Sequence, residues 1–62
     1  MKLDFEVRVS EDNEGRVSGV VEMDDKEVFR TPIYGGASDK TIIEITTGAF
    51  INALRTALSY KP

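Results

Sequence analysis

The stretch AFINALRTALSY, residues 49–60, decides the fold of this chain. Its apolar residues recur at the i, i+3, i+4, i+7 and i+8 positions from Phe50 to Leu58, which is the spacing of one face of an α-helix. Ile51 and Tyr60 lie outside that face, so apolar side chains cover a wider arc than one sheet would need. The pattern predicts a C-terminal helix that packs on a sheet and keeps apolar surface for a further contact.

The segment just before it, residues 41–48 (TIIEITTG), has two interpretations. Its β-branched residues favour a fourth strand, and Thr47 would then cap a helix that begins after it. Against this, Ile42 continues the helical stripe backwards, and Ser38 or Asp39 would cap a longer helix. We favour the strand, and the longer helix stays as the alternative.

Three segments further upstream have the pattern of strands. Residues 2–9 alternate strictly between apolar and polar side chains, and residues 16–23 and 27–34 are rich in valine, phenylalanine and isoleucine. Pro32 places the end of the third segment at a sheet edge or a bend, since proline cannot donate to a ladder. The chain therefore predicts one α+β domain of 62 residues, an antiparallel meander of three or four strands packed against one C-terminal helix (β-β-β-(β)-α).

The same periodicities predict the hydrophobic core. Val20 breaks the alternation of the second strand, which predicts either a bulge or an outer face that is partly covered. The expected core consists of Leu3, Phe5, Val7, Val9, Val17, Val21, Phe29, Ile43, Phe50, Leu54 and Leu58.

Composition excludes several kinds of chemistry. The chain has no cysteine and no histidine, so it forms no disulfide framework and lacks the commonest zinc ligands. The Ser-His-acid and Cys-His arrangements of nucleophilic catalysis are excluded for the same reason. We expect a protein that is not an enzyme and that has no cofactor, no metal site and no catalytic residue.

Charge is distributed unevenly along the chain. The net charge is −3, but residues 1–29 carry four basic and nine acidic side chains, a net of −5, whereas residues 30–62 carry four basic and two acidic ones, a net of +2. The acidic half disfavours binding to a phosphate backbone and would suit a basic protein partner. Met1-Lys2 leads directly into alternating charge, and no apolar run is long enough to span a membrane, so we expect a cytoplasmic protein without membrane contact.

Two groups of residues are candidates for binding surfaces. A domain of this size without disulfide or metal commonly gains stability by oligomerising, which predicts a homodimer. Small residues in the last quarter would allow two helices to pack closely. The expected dimer contacts are Ile51, Arg55, Leu58 and Tyr60. Around the glycine-containing loop, Arg30, Tyr34 and Lys40 are the expected contacts with a different partner, because arginine and tyrosine are enriched in interface hot spots.

The β-β-β-α order resembles two small families. It is similar to the last three strands and final helix of the double-stranded RNA-binding domain, with matching positions at Gly36, Ser38 and Lys40. It also resembles the truncated RNase H-like fold of HicB-type antitoxins, which share the element order. We expect a small non-enzymatic protein-binding or regulatory module, such as the acidic inhibitors or accessory proteins that mobile elements encode. The alternative is a nucleic-acid-binding domain that uses the basic C-terminal half.

Overall fold

The computed structural model describes residues 4–60, which form three strands and one helix. β1 spans Glu6–Glu11, β2 spans Val17–Met23, β3 spans Lys26–Ile33 and α1 spans Asp39–Ser59. The strands form one antiparallel sheet in the order β1-β2-β3, and α1 packs against one of its faces. The predicted α+β meander with a C-terminal helix is confirmed.

Short turns built from acidic residues join the strands. Before β2, the Asp12 carboxylate accepts hydrogen bonds from the backbone N–H groups of Glu14 and Arg16, both at 2.9 Å. Between β2 and β3, Asp24 and Asp25 have φ angles of 53° and 62°. Two consecutive left-handed residues make the tight turn whose twist matches an antiparallel hairpin, and aspartate tolerates that conformation better than most residues. Local sequence therefore determines the pairing of neighbouring strands.

The register gives the two faces of the sheet different characters. On the face towards α1, here called the helix face, Val21 lies between Val7 and Phe29. On the opposite face, here called the outer face, Val20 lies between Arg8 and Arg30. Val20 is 0% exposed, because the long side chains on both neighbouring strands flank it.

A bulge lies in β3. The pairing passes from Val21–Phe29 to Glu22–Glu27, so Val28 has no partner in β2 and is 49% exposed. The break in alternation at Val20 thus reflects an outer face covered by arginine side chains, while the bulge lies one residue further along β2.

α1 contributes one stripe to the core. Ile42, Thr46 and Phe50 are buried at intervals of four residues and face the sheet. The Phe50 ring lies 5.1 Å from the Phe5 ring and 5.6 Å from the Phe29 ring, so it links β3 with the segment that leads into β1. The Thr46 hydroxyl donates to the Ile42 carbonyl at 2.6 Å, which satisfies the one buried polar side chain of the described residues.

Residues 41–47 belong to α1, so the fourth strand that we favoured is wrong and the longer helix is right. Ser38 caps the helix, its hydroxyl accepting from the Thr41 N–H at 3.3 Å. The hydroxyls of Thr46 and Thr47 donate to the carbonyls four residues before them. These bonds satisfy the side-chain donors of two residues that otherwise favour strands. Burial of the stripe from Ile42 to Phe50 outweighs β-propensity.

The predicted core is partly correct. Val21 and Phe50 are buried, as expected. Ile43 and Leu58 are exposed, which contradicts the prediction: Ile43 is turned away from the sheet by one helical step, and Leu58 lies in the last turns of α1. Phe5, Val7, Val9, Val17, Phe29 and Leu54 are half-buried, and Leu3 lies outside the described residues.

Candidate protein-interaction surface

One side of α1 carries a row of apolar side chains that the sheet does not cover. Around the helix axis, each lies about one residue's rotation away from the buried stripe of Ile42, Thr46 and Phe50. Along the chain, successive members are four, four, three and four residues apart. This apolar flank consists of Ile43, Ile51, Leu54 and Leu58, together with Thr47, whose hydroxyl is bonded to the Ile43 carbonyl. Ile43 and Ile51 are each 38% exposed and Leu58 is 82% exposed. A row of this kind on one helix is the pattern of a helix–helix contact.

The C-terminal turns of α1 extend past the sheet. The helix has 21 residues, hence a length of about 31 Å at 1.5 Å per residue, and the longest strand has eight. Ala53 and Ala57 continue the sheet-facing direction of Phe50, yet both are exposed. Between residues 45 and 60 the only charged side chain is Arg55, so these turns carry little charge and have the small residues Ala53 and Ala57 on their sheet-facing side.

The opposite side of α1 is different. Ile45 is 49% exposed there, and its neighbours on that side of the helix are Asn52 and Thr56. A single exposed apolar residue among polar ones is ordinary for a protein surface. The two sides of α1 therefore differ in how much apolar surface they expose.

The structure brings together part of the predicted dimer surface. Ile51 and Leu58 lie on the apolar flank, and Arg55 lies one turn after Ile51 at its outer margin. Tyr60 ends the helix, where its N–H donates to the carbonyls of Ala57 and Thr56, and its side chain is 76% exposed. Sequence reasoning missed Ile43, because we placed that residue in a strand.

The three residues expected to contact another partner do not share a face. Arg30 lies on the outer face and forms an ion pair with Glu27 at 2.7 Å. Tyr34 follows β3 and is 88% exposed. Lys40 lies in the first turn of α1, on the other side of the sheet from Arg30. Their role as one surface stays a prediction.

Ion pairs organise the outer face. Arg8 reaches diagonally to Glu22, its Nε lying 3.0 Å from Oε1, and Arg30 holds Glu27 through both of its forked nitrogens. The hydrogen bond from Arg30 holds the pKa of Glu27 below its ordinary value. In the turn before β2, the Arg16 N–H lowers the pKa of Asp12 in the same way. Three arginines thus form ion pairs with acids of the chain itself.

An acidic depression lies at the hairpin end of the sheet. It has a volume of about 410 Å³, and its lining includes Asp4, Glu6, Glu22, Asp24 and Asp25. Among residues 4–60, no group of three or more carboxylates is arranged to hold a metal ion. The depression gives this end a strong negative field, which would attract a basic surface.

No protein-family model, curated protein or solved structure gives a match to this chain. Within the part of the chain described, no helix is both long enough and apolar enough to cross a membrane.

Proposed function

We propose that this chain is a small non-enzymatic protein-interaction module that works as a homodimer, with the apolar flank of α1 in the contact between the two copies. The observation that carries the proposal is the uneven exposure of the helix. Ile43, Ile51 and Leu58 are exposed on one side, whereas the opposite side has Ile45 alone among polar residues.

Leu58 has a large apolar surface left to bury. Burying a fully exposed leucine side chain is worth about 1.5–3 kcal/mol, and Leu58 is 82% exposed, so most of that stabilisation is still available. A domain of 62 residues has a total stability of roughly 0.05–0.15 kcal/mol per residue. Covering even two residues of the flank would therefore be a large fraction of its stability. A twofold dimer covers the same surface on both copies at once.

The acidic end supports a basic protein as a second partner. The carboxylates of Asp24 and Asp25 in this depression lie at the tip of the β2–β3 hairpin, which belongs neither to β1 nor to the apolar flank. A regulatory module of this design would dimerise through one surface and bind its basic partner at another. The cytoplasmic location expected from the sequence stays a prediction.

The alternative function, nucleic-acid binding through the basic half, has weaker support. Arg30 is held by Glu27, so Lys40 and Arg55 supply the remaining basic charge between residues 30 and 60. Those two residues are 15 positions apart on α1, which is about 22 Å. Affinity for a phosphate backbone grows with the number of phosphates neutralised, and two separated cations neutralise few.

Sedimentation equilibrium with a matched pair of variants tests the proposal. Ile51→Glu places a charge on the apolar flank, and Ile45→Glu places the same charge on the opposite side at a similarly exposed position. We expect the parent and Ile45→Glu to have the mass of a dimer at tens of micromolar, and Ile51→Glu to have the mass of a monomer. A monomeric parent, or two variants that associate equally well, would refute the proposal.

A further inference from the structure

We propose that the two copies join by antiparallel pairing of their β1 strands, with Val7 opposite Val7, to form a six-stranded sheet that carries both helices on one face. This inference rests on the homodimer proposed above and specifies its geometry. Four observations carry it: an unprotected strand edge, the direction of its backbone groups, its charge pattern and the side of α1 that lies above it.

The two edges of the sheet differ in protection. β3 contains Pro32, which has no N–H to donate, and the bulge at Val28, which interrupts a regular row of backbone groups. β1 contains neither proline nor bulge and pairs with β2 without a shift in register. Of these two edges, β1 is therefore the one that can accept another strand.

The backbone groups of Val7 and Val9 point to the open edge. The Asp12 N–H donates to the Arg16 carbonyl, so Asp12 directs its backbone groups to β2. The direction of these backbone groups alternates along an antiparallel strand. The backbone groups of Arg8 therefore also point to β2, while those of Val7 and Val9 point to the open edge. With Val7 opposite Val7, the two copies exchange hydrogen bonds between these outward groups.

The side chains of β1 are complementary to themselves in that register. Glu6 of one copy lies opposite Arg8 of the second copy, and Phe5 lies opposite Val9, so charges meet opposite charges and apolar residues meet apolar residues. Within one copy Glu6 lies opposite Glu22 and takes part in none of the ion pairs found among residues 4–60. The adjacent registers put Arg8 opposite Arg8, or Glu6 opposite Glu6, and both are repulsive.

Chirality places the apolar flank above β1. Viewed from the helix side with β2 running upward, an L-residue whose side chain points at the viewer directs its backbone groups to the right. Val20 directs its backbone groups to β1, so its helix-face neighbours Gly19 and Val21 direct theirs to β3. β3 is therefore on the right and β1 on the left.

The direction of α1 completes this argument. Thr46 lies over Gly19 and Phe50 contacts Phe29, the partner of Val21, so α1 also runs upward. In a right-handed helix that runs upward in this view, the residue that follows each sheet-facing residue in the sequence lies on the left side of the helix. Ile51 is one such residue, so the apolar flank lies on the β1 side.

Pairing of β1 with β1 brings the two flanks together. The twofold axis passes beside Val7, which lies opposite Val21 and hence at the level of Phe50. The two β2 strands, over which the helices lie, are then three strand spacings apart, about 14 Å. That separation exceeds the 8–10 Å at which helices pack directly, so the side chains of the two flanks face each other in the space between the helices, with Ile51 of each copy near the axis. One arrangement thus covers the open edge and the apolar flank.

Charge reversal on β1 provides the decisive test. Glu6→Lys alone and Arg8→Glu alone each put like charges in contact twice per dimer, and we expect each variant to self-associate at least about tenfold more weakly than the parent at low salt. Mixing the two variants restores both attractive pairs, since the new lysine meets the new glutamate and Arg8 meets Glu6. We expect the mixture to form a heterodimer in sedimentation velocity.

Amide hydrogen exchange on the parent gives a second measurement that needs no variant. The amides of Val7 and Val9 become protected as concentration rises if β1 strands pair, and exchange freely at all concentrations if the dimer uses the helices alone. A dimer with freely exchanging Val7 and Val9, or a variant mixture no heavier than its components, overturns the β1 pairing and leaves the homodimer standing. A parent that stays monomeric overturns both.

Discussion

Replacing Gly19 by alanine tests how α1 is seated on the sheet. Gly19 is buried in β2 directly under Thr46. A Cβ at this position would overlap Thr46 Oγ1 and lie 2.7 Å from its Cβ and 2.9 Å from its Cγ2. Thr46 cannot easily move away, because it is 0% exposed and its hydroxyl is bonded to the Ile42 carbonyl. The added methyl group therefore has to lift the helix.

The expected cost follows from two opposing effects. Overpacking of a well-packed site costs typically about 1–3 kcal/mol. Removing a glycine from a strand interior returns about 0.5–1 kcal/mol of conformational entropy. We expect Gly19→Ala to lower the free energy of unfolding by about 1–2 kcal/mol, which at about 4–8 °C per kcal/mol lowers the melting temperature by roughly 4–16 °C.

Gly48 provides a matched control in the same chain. It lies within α1 and an added Cβ there meets nothing within 4 Å, so Gly48→Ala should stabilise the protein by about 0.5–1 kcal/mol through helix propensity. Both variants are compared with the parent by urea unfolding followed by circular dichroism. One protein concentration is used throughout, because dimerisation makes apparent stability depend on concentration.

A double-mutant cycle localises the effect. Thr46→Ala removes the two atoms Oγ1 and Cγ2 but leaves the Cβ, so it should relieve part of the overlap. Gly19→Ala should then cost less in the Thr46→Ala background than in the parent, by at least about 0.5 kcal/mol. Equal cost in both backgrounds, or a stabilising Gly19→Ala, would show that α1 is not seated on Gly19 as described.

Two further predictions concern the helix start and the ion pairs. Ser38→Ala removes the acceptor for the Thr41 N–H and should cost about 0.5–2 kcal/mol in urea unfolding, whereas Ser38→Asp keeps an acceptor and should cost much less; equal losses would contradict the cap. In the folded protein the pKa values of Asp12 and Glu27 lie below the ordinary 3.8 and 4.5. Their contribution to the free energy of unfolding is therefore fully present above those ordinary values, and it is lost as the pH falls through the lower, folded-state values. The melting temperature should therefore fall with acid below about pH 4.5, and Glu27→Gln should reduce that fall; an unchanged acid dependence in this variant would refute the role of the pair.

The sequence by itself determines the local elements of this protein. Strict alternation in residues 2–9 identifies a strand with one apolar side, although the described strand begins at Glu6. Aspartate and glycine between the apolar segments indicate the two tight turns, and the spacing from Phe50 to Leu58 identifies the helix. These features depend on residues near one another in the chain, so pattern and turn chemistry are sufficient to predict them.

Only the tertiary structure decided between strand and helix for residues 41–47. Local propensity favours the strand there. The helix is favoured because it buries Ile42 and Thr46 on the sheet, where Thr46 lies against Gly19, more than twenty residues away in sequence. Such a contact has no signature within the segment itself. The same holds for Val20, whose burial depends on arginines contributed by two other strands.

The candidate surface shows the same division. Apolar residues beyond one helical face are visible in the sequence at Ile51 and Tyr60, so a further contact for the helix could be predicted. Which side of α1 lies above the open edge of β1 depends on sheet order, helix direction and the chirality of the chain together. The sequence predicts Leu58 as a core residue, because Leu58 has the helical spacing from Phe50 that marks the sheet-facing side. It is exposed because the helix is longer than the sheet beneath it, and a comparison of those two lengths requires the folded chain.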